Sequence, residues 1–220
     1  MSIFGSPCVE GSGHRTSETR IVDAFNSIVV ETAVDVIVSI KQTQSVLLTG
    51  DDNVLPLITT AVSDNTLTIA ETECFTASQG VQADIAIPEV NSLKTTSSGN
   101  ISGPGLTLQN PKIQSTASGN VTLAQVTAES IDIEASASGD MTVSGTATSI
   151  TATTSGSGNI TADNCIASEC TAKTTGSGNI RVHATDSLKA TISGSGNIYY
   201  SGNPTIEEHI SGSGKLIHVD

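Results

Sequence analysis

Along the second half of the chain, apolar and polar positions alternate with period two, and the alternation recurs in step every 18 to 20 residues. The marker of each unit is the Gly of an S-G-N-I-like string: Gly99, Gly119, Gly139, Gly158, Gly178, Gly196 and Gly214. Two residues after each Gly stand Ile101, Val121, Met141, Ile160, Ile180, Ile198 and Leu216, an unbroken apolar column. Six before it stand Leu93, Ile113, Ile133, Ala152, Ala172 and Ala190, a column that fails only at Glu208. Eight before it stand Pro111, Ile131, Ile150, Cys170, Leu188 and Ile206, with Asn91 the exception. Four before it are Thr95, Ser115, Ala135, Thr154, Thr174, Ile192 and Ile210, all small or apolar. On the opposite phase lie Thr96, Thr116, Ser136, Ser155, Thr175, Ser193 and Ser211. Strands with one buried face alternate in this way.

A unit this short cannot hold two packed helices, which need about 33 residues. It suits one coil of a stacked β-repeat. The pattern therefore predicts an all-β, right-handed parallel β-solenoid with coils of about 18–20 residues. Seven such coils at about 4.8 Å each would make a rod roughly 30 Å long. The glycines and their neighbours read as structural corners: Gly99 and Asn100, Gly119 and Asn120, Gly139 and Asp140, Gly158 and Asn159, Gly178 and Asn179, Gly196 and Asn197. Gly takes the φ values of an abrupt bend, and Asn is the other residue that best tolerates them. Stacked Asn side chains can also bond from coil to coil. Lys215 holds the same place in the last coil, where a charge discourages pairing of an open sheet edge.

The front of the chain is less regular. RIVDAFNSIVVE, AVDVIVSIK, SVLLTG and TLTIAE read as strands, and DDNVLPLITTAV could open a short helix capped by Asp52. ADIAIPEV leads into the first regular coil. Residues 1–19 are expected to be a mobile N-terminal extension, 20–90 an irregular β-rich part, and 91–220 the regular coils, with 20–220 one continuous domain. No linker divides them.

Composition agrees with strands. The chain has no Trp, three Phe and two Tyr, so Ile, Val, Leu and Ala must fill the core. A net charge of −13 makes nucleic acid and anionic membrane surfaces poor partners. No apolar run is long enough for a membrane-spanning helix. The start, MSIFGSPCVEGSG, lacks the basic and apolar regions of an intact signal peptide.

Candidate chemistry is sparse. The glycine strings are followed by neither a helix nor a P-loop Lys, so they are not phosphate loops. A calcium nonapeptide array needs an Asp about every nine residues, and only Asp140 stands at a corner. His183, His209 and His218 occupy different coil positions and do not stack into a metal set, while His14 falls in the extension. Asp132 and Glu134 face outward, opposite Lys112 and Gln114, and Asp132 with Lys112 reads as an exposed ion pair. Cys165 and Cys170 read as small buried hydrophobes rather than a disulfide. Cys8 and Cys74 lie outside the regular coils and could pair in an oxidising compartment, and a lipid anchor at Cys8 is the competing idea. The outer columns are too bulky and charged for an ice-binding face, and only Tyr199 is expected to be an exposed ring. No catalytic, cofactor-binding or metal-binding residue is expected.

The ordered blocks RIVDAFNSIVV, DVIVSI, VLLTGDDNVLPLITTAVSDNTLTIAE and ADIAIPEV, followed by recurrent SGSGNI corners, resemble the head-GIN domain family. These are bacterial proteins described as putative auto-transporter adhesin heads. The resemblance covers roughly residues 11–220 and implies a β-solenoid-like fold at a bacterial surface or in the periplasm. It carries over no catalytic residue. The leading expectation is a non-catalytic cell-envelope or secreted adhesin-like module whose partner is a protein or glycan. Two alternatives remain: a carbohydrate-active enzyme with a site around Asp51, Asp52 and Glu71, and a self-associating structural solenoid, a homo-oligomer.

Overall fold

The computed structural model describes residues 8–219. The protein is a β-solenoid of parallel stacked strands, and its coils carry two main faces. On one face β10 (Ser92–Thr95), β12 (Lys112–Ser115) and the later parts of β13 (Val121–Ala135), β14 (Met141–Thr154), β15 (Ile160–Thr174) and β16 (Ile180–Ile192) stack in sequence order, followed by β18 (Thr205–Ile210). On the other, β11 (Ile101–Pro104) stacks on the early parts of the same long strands, followed by β17 (Ile198–Ser201) and β19 (Leu216–His218). The register places like on like: Ile131 opposite Ile150, Cys170 and Leu188 in turn, and Ile133 opposite Ala152, Ala172 and Ala190.

Variation in coil length is absorbed by register shifts within the long strands, between Leu123 and Val126, Thr142 and Gly145, Ala162 and Ile166, and Ala167 and Glu169. Between Leu123 and Val126 the register slips against β14, Gln125 adopts a positive φ of 55°, and Gly145 opposes Val126. A side chain at Gly145 would strike the Val126 carbonyl, and its φ of 133° is itself glycine territory.

The front of the chain is part of the same stack, in a different order. β3 (Ser27–Val30) and β4 (Val34–Ile40) form the coil directly beneath β10 and β11. Beneath that coil lie β7 (Thr66–Glu71) on β3 and β9 (Val81–Ile87) on β4, also parallel. Antiparallel strands then close the end: β6 (Ile58–Ser63) on β7, β5 (Ser45–Asp51) on β9, and β2 (Arg15–Arg20) on β5. The chain thus starts at the cap with β2, passes inward to β3 and β4, runs back out through β5 and β6 to β7 and β9, and returns to build upward from β10.

Two expectations are corrected here. Residues 8–19 are not a mobile extension: β1 (Val9–Glu10) pairs with β8 (Phe75–Thr76), and the polar β2 pairs along its whole length with β5. Residues 1–7 lie outside the described residues. The short helix is a single 3-10 turn over Leu55–Leu57 with no side-chain cap. Asp52 instead accepts a bond from Ser12 Oγ at 2.6 Å. Pro56 and the buried Leu55 allow one turn before the chain extends into β6.

The core is aliphatic. Ile and Leu fill its middle coils, and Ala152, Ala162, Ala167, Ala172, Ala184 and Ala190 with Cys165 and Cys170 fill the later ones. The final coil is open to solvent, with Ile206 39% and Ile210 42% exposed. Among the described residues no helix is long and apolar enough to cross a membrane.

Candidate functional site

The corners form a continuous polar ladder. Each side-chain oxygen accepts the backbone N–H one coil further on: Asn120 N donates to Asn100 Oδ1 at 2.9 Å, Asp140 N to Asn120 at 2.8 Å, Asn159 N to Asp140 at 2.8 Å and Asn179 N to Asn159 at 3.0 Å. Asn197 N to Asn179 and Lys215 N to Asn197 follow at 2.9 Å each. Asp35 Oδ1 begins the series by accepting from both Asn100 N and Nδ2. Asp serves as well as Asn because the rung needs only an acceptor. On the inner side, the buried hydroxyls of Thr95, Ser115, Thr154 and Thr174 donate to the carbonyls of Gly99, Gly119, Gly158 and Gly178 at 2.7–3.0 Å.

The reason for glycine differs from the expected one. The corner glycines and asparagines are absent from the positive-φ residues. Close approach selects glycine: a Cβ on Gly119, Gly139, Gly158, Gly178 or Gly196 would land on the carbonyl oxygen of the corner glycine one coil before. Asn159→Ala removes an acceptor used by both Asn179 N and Nδ2, and is expected to cost about 1–2 kcal/mol in chemical denaturation. Asp140→Asn keeps the acceptor and should stay within about 0.5 kcal/mol of the parent.

Beside the ladder, the outward column Thr122, Thr142, Thr161, Arg181, Tyr199 runs in register across the coils. A groove of about 290 Å³ lies between column and ladder, lined by Asp140, Thr142, Asn159, Thr161, Asn179, Arg181 and Tyr199. The Arg181 guanidinium lies 4.5 Å over the Tyr199 ring centre, and its Nη1 is 3.7 Å from Asp163 Oδ2. Asp163 Oδ1 is buried without a hydrogen-bond partner. The groove brings together one stacked aromatic–cation pair, carboxylates, amides and hydroxyls. Tyr199 was legible as an outward ring; Arg181 beside it was not singled out.

The carboxylates proposed for an enzyme are held by separate partners. Asp51 is fully buried and accepts from Ser78 N at 2.7 Å and Ser78 Oγ at 2.6 Å. Glu71 accepts from Thr32 Oγ1, and Asp52 from Ser12. Glu134, rather than Asp132, takes Lys112 at 3.6 Å, and also accepts from Gln114 at 2.8 Å. The strand register is the expected one, but the Lys112 side chain reaches diagonally to the carboxylate that Gln114 already orients. No group of three His, Cys, Asp or Glu able to hold a metal occurs among the described residues.

The Ser78 hydroxyl and N–H hold the Asp51 carboxyl below the ordinary 3.8, with smaller help from Gly13 and Arg15 against the cost of burial. A depressed folded value means that the unfolded chain takes up the proton first. Asp51 therefore stabilises the fold fully above about pH 4, and that contribution is lost as pH falls below it. Asp51→Asn is expected to lower stability at neutral pH and to flatten the acid limb of a stability-against-pH profile.

Cys8 and Cys74 form a disulfide with Cα atoms 4.8 Å apart, which leaves no free Cys8 thiol for a lipid. Cys165 and Cys170 are free and buried, and desolvation pushes their thiols up to about 11 and about 12. His183 is half-buried with Nδ1 3.1 Å from Ser201 Oγ, and His218 lies beside Tyr200 with ring centres 4.9 Å apart.

The family model described as "Putative auto-transporter adhesin, head GIN domain" matches residues 24–204. The chain belongs to the head GIN domain family. A crystal structure of a "putative adhesin" from Bacteroides fragilis is 27% identical with a TM-score of 0.90, covering 96% of this chain and all of that one. A "putative adhesin" from Parabacteroides distasonis is 25% identical at a TM-score of 0.62, over 97% of this chain and all of that one. A "putative lipid binding protein" from Parabacteroides distasonis, 22% identical over 97% of this chain and all of that one, shares the fold at a TM-score of 0.77. No curated protein matches the chain.

Proposed function

We propose that this head GIN domain is a non-catalytic, adhesin-like binding module of the bacterial cell surface or periplasm, with a protein or glycan partner. One contrast carries the reading. The enzyme-candidate carboxylates are each engaged by a local partner, whereas Thr142, Thr161 and Tyr199 make no side-chain hydrogen bond among the described residues. A rigid rod that leaves polar groups open along one groove is suited to holding a partner rather than transforming one. The Cys8–Cys74 disulfide supports a place outside the reducing cytoplasm. The test is a binding screen of the full chain against immobilised matrix proteins, glycans and envelope components, alongside cell fractionation. Saturable binding to one class and an envelope address are expected. No binder together with a cytosolic address would sink the proposal.

One observation favours a self-associating solenoid instead: β18 leaves an exposed edge that carries Ile206 and Ile210. Glu207, Glu208 and Lys215 at the same end oppose pairing there. Sedimentation velocity decides it, since a concentration-independent monomer excludes self-association.

A further inference from the structure

We infer that the groove along the corner ladder, from Asp140 to Tyr199, is a saccharide site that takes a neutral, extended polysaccharide laid along the rod axis. The inference rests on the binding role proposed above and names its ligand class. The chemistry of the groove is mixed within a few side chains. Asp140 uses one carboxylate oxygen for the ladder, and no bond among the described residues engages the other. Thr142, Thr161 and Tyr199 supply hydroxyls that can both donate and accept, and the Arg181 guanidinium only donates. A polyol answers such a set, because each sugar hydroxyl is at once donor and acceptor.

Other ligand classes fit less well. A phosphate or sulfate would meet one cation flanked by Asp140 and Asp163, on a chain of net charge −13. A free metal cation would meet the Arg181 guanidinium. A peptide added as a strand needs an open sheet edge. Strands β14 to β17 are already paired on both sides at this groove. An apolar chain would bury these polar groups without partners.

The position is also singular on the rod. The outward column consists of small hydroxyl residues, Ser102, Thr122, Thr142 and Thr161, until it changes to Arg181 and Tyr199. One of only two Tyr in the chain lies there, with the guanidinium stacked on it. That pair sets a cation and an aromatic ring together at one end of the groove. The ladder adds a rung every ~4.8 Å, close to the rise of one pyranose unit in an extended polysaccharide, so successive units meet equivalent amides.

The experiment is calorimetric titration of the full chain with cellohexaose, mannohexaose and chitohexaose, with polygalacturonate as the anionic comparison. Binding of at least one neutral hexasaccharide is expected, weakened about tenfold or more by Tyr199→Ala and by Arg181→Ala. Thr122→Ala, one coil outside the groove, should leave it unchanged. The chain has no Trp, so quenching or enhancement of emission from its two Tyr is a second readout on the unmutated protein. Arg181→Lys keeps the charge but loses the planar stack, and should still weaken binding if either alanine variant fails to fold. Preference for polygalacturonate, neutral binding indifferent to these variants, or no neutral binding at all overturns the site. A chain that captures a matrix protein but no saccharide loses this inference and keeps the binding role; one that binds nothing loses both.

Discussion

Gly158→Val is expected to destabilise the rod by roughly 3 kcal/mol or more, among the larger effects a single substitution here can have. Gly158 N and Ser157 N both donate to the Ala137 carbonyl, at 2.8 and 2.9 Å, so the two corners are fixed one strand spacing apart. A Cβ at Gly158 would lie on the Gly139 carbonyl oxygen and close to backbone atoms of Ser138 and Gly139. Backbone cannot swing aside as a long side chain can. Making room means parting two coils, which also breaks the Asn159–Asp140 rung beside it. For a chain of this size the loss corresponds to a fall of about 10 °C in Tm. Ser157→Ala is the control, because Ser157 is exposed and its hydroxyl makes no bond among the described residues. Its effect should stay within about 0.5 kcal/mol. A valine variant as stable as the alanine control would show that corner packing is looser than the coil spacing implies.

Removing the disulfide, as Cys8→Ser with Cys74→Ser, is expected to cost about 2–4 kcal/mol at the capped end. The bond closes a loop of 66 residues that holds β1 to β8. With it intact, the strand carrying Val9 and Glu10 is held against Phe75 and Thr76, and Gly11 packs on the Asp51 carboxylate. Without it, the β1 and β8 amides should exchange faster in hydrogen–deuterium exchange, while coils beyond β12 keep their protection. Thiol titration of the unfolded chain checks the pairing: two free thiols without reductant, four with it.

The regular coils were readable because each buried column repeats the same residue class at one offset; Ile101, Val121, Met141, Ile160, Ile180 and Ile198 are all buried. The stacking order of the front was not. Nothing in IVV or VDVIVSI reveals that β3 contacts a strand about 65 residues later, since any apolar strand could lie there. The strand RTSETR was invisible for a plainer reason: it lies on the outside of the cap with little burial, so it lacks alternation. The torsional reason expected for the corner glycines gives way to close approach, because a sequence shows that a side chain is missing without showing whether torsion or proximity excludes it. The groove was half readable. Arg181 and Tyr199 are 18 residues apart, the local coil length, so the period alone would have set them side by side. What the period could not supply was the 4.5 Å stack.

The out-and-back path at the front makes construction of the rod directional. Coils from β12 onward each stack on the coil before them, whereas β10 and β11 stack on β3 and β4, which come about 65 residues earlier. The cap therefore acts as a template, and each later coil is copied onto it at the price of closing a short loop. A polypeptide emerging amino end first completes its template before its repeats appear. By the same logic, lineages can gain or lose 20-residue units at the far end, while a deletion between β3 and β9 would erase the pattern on which every later coil is laid.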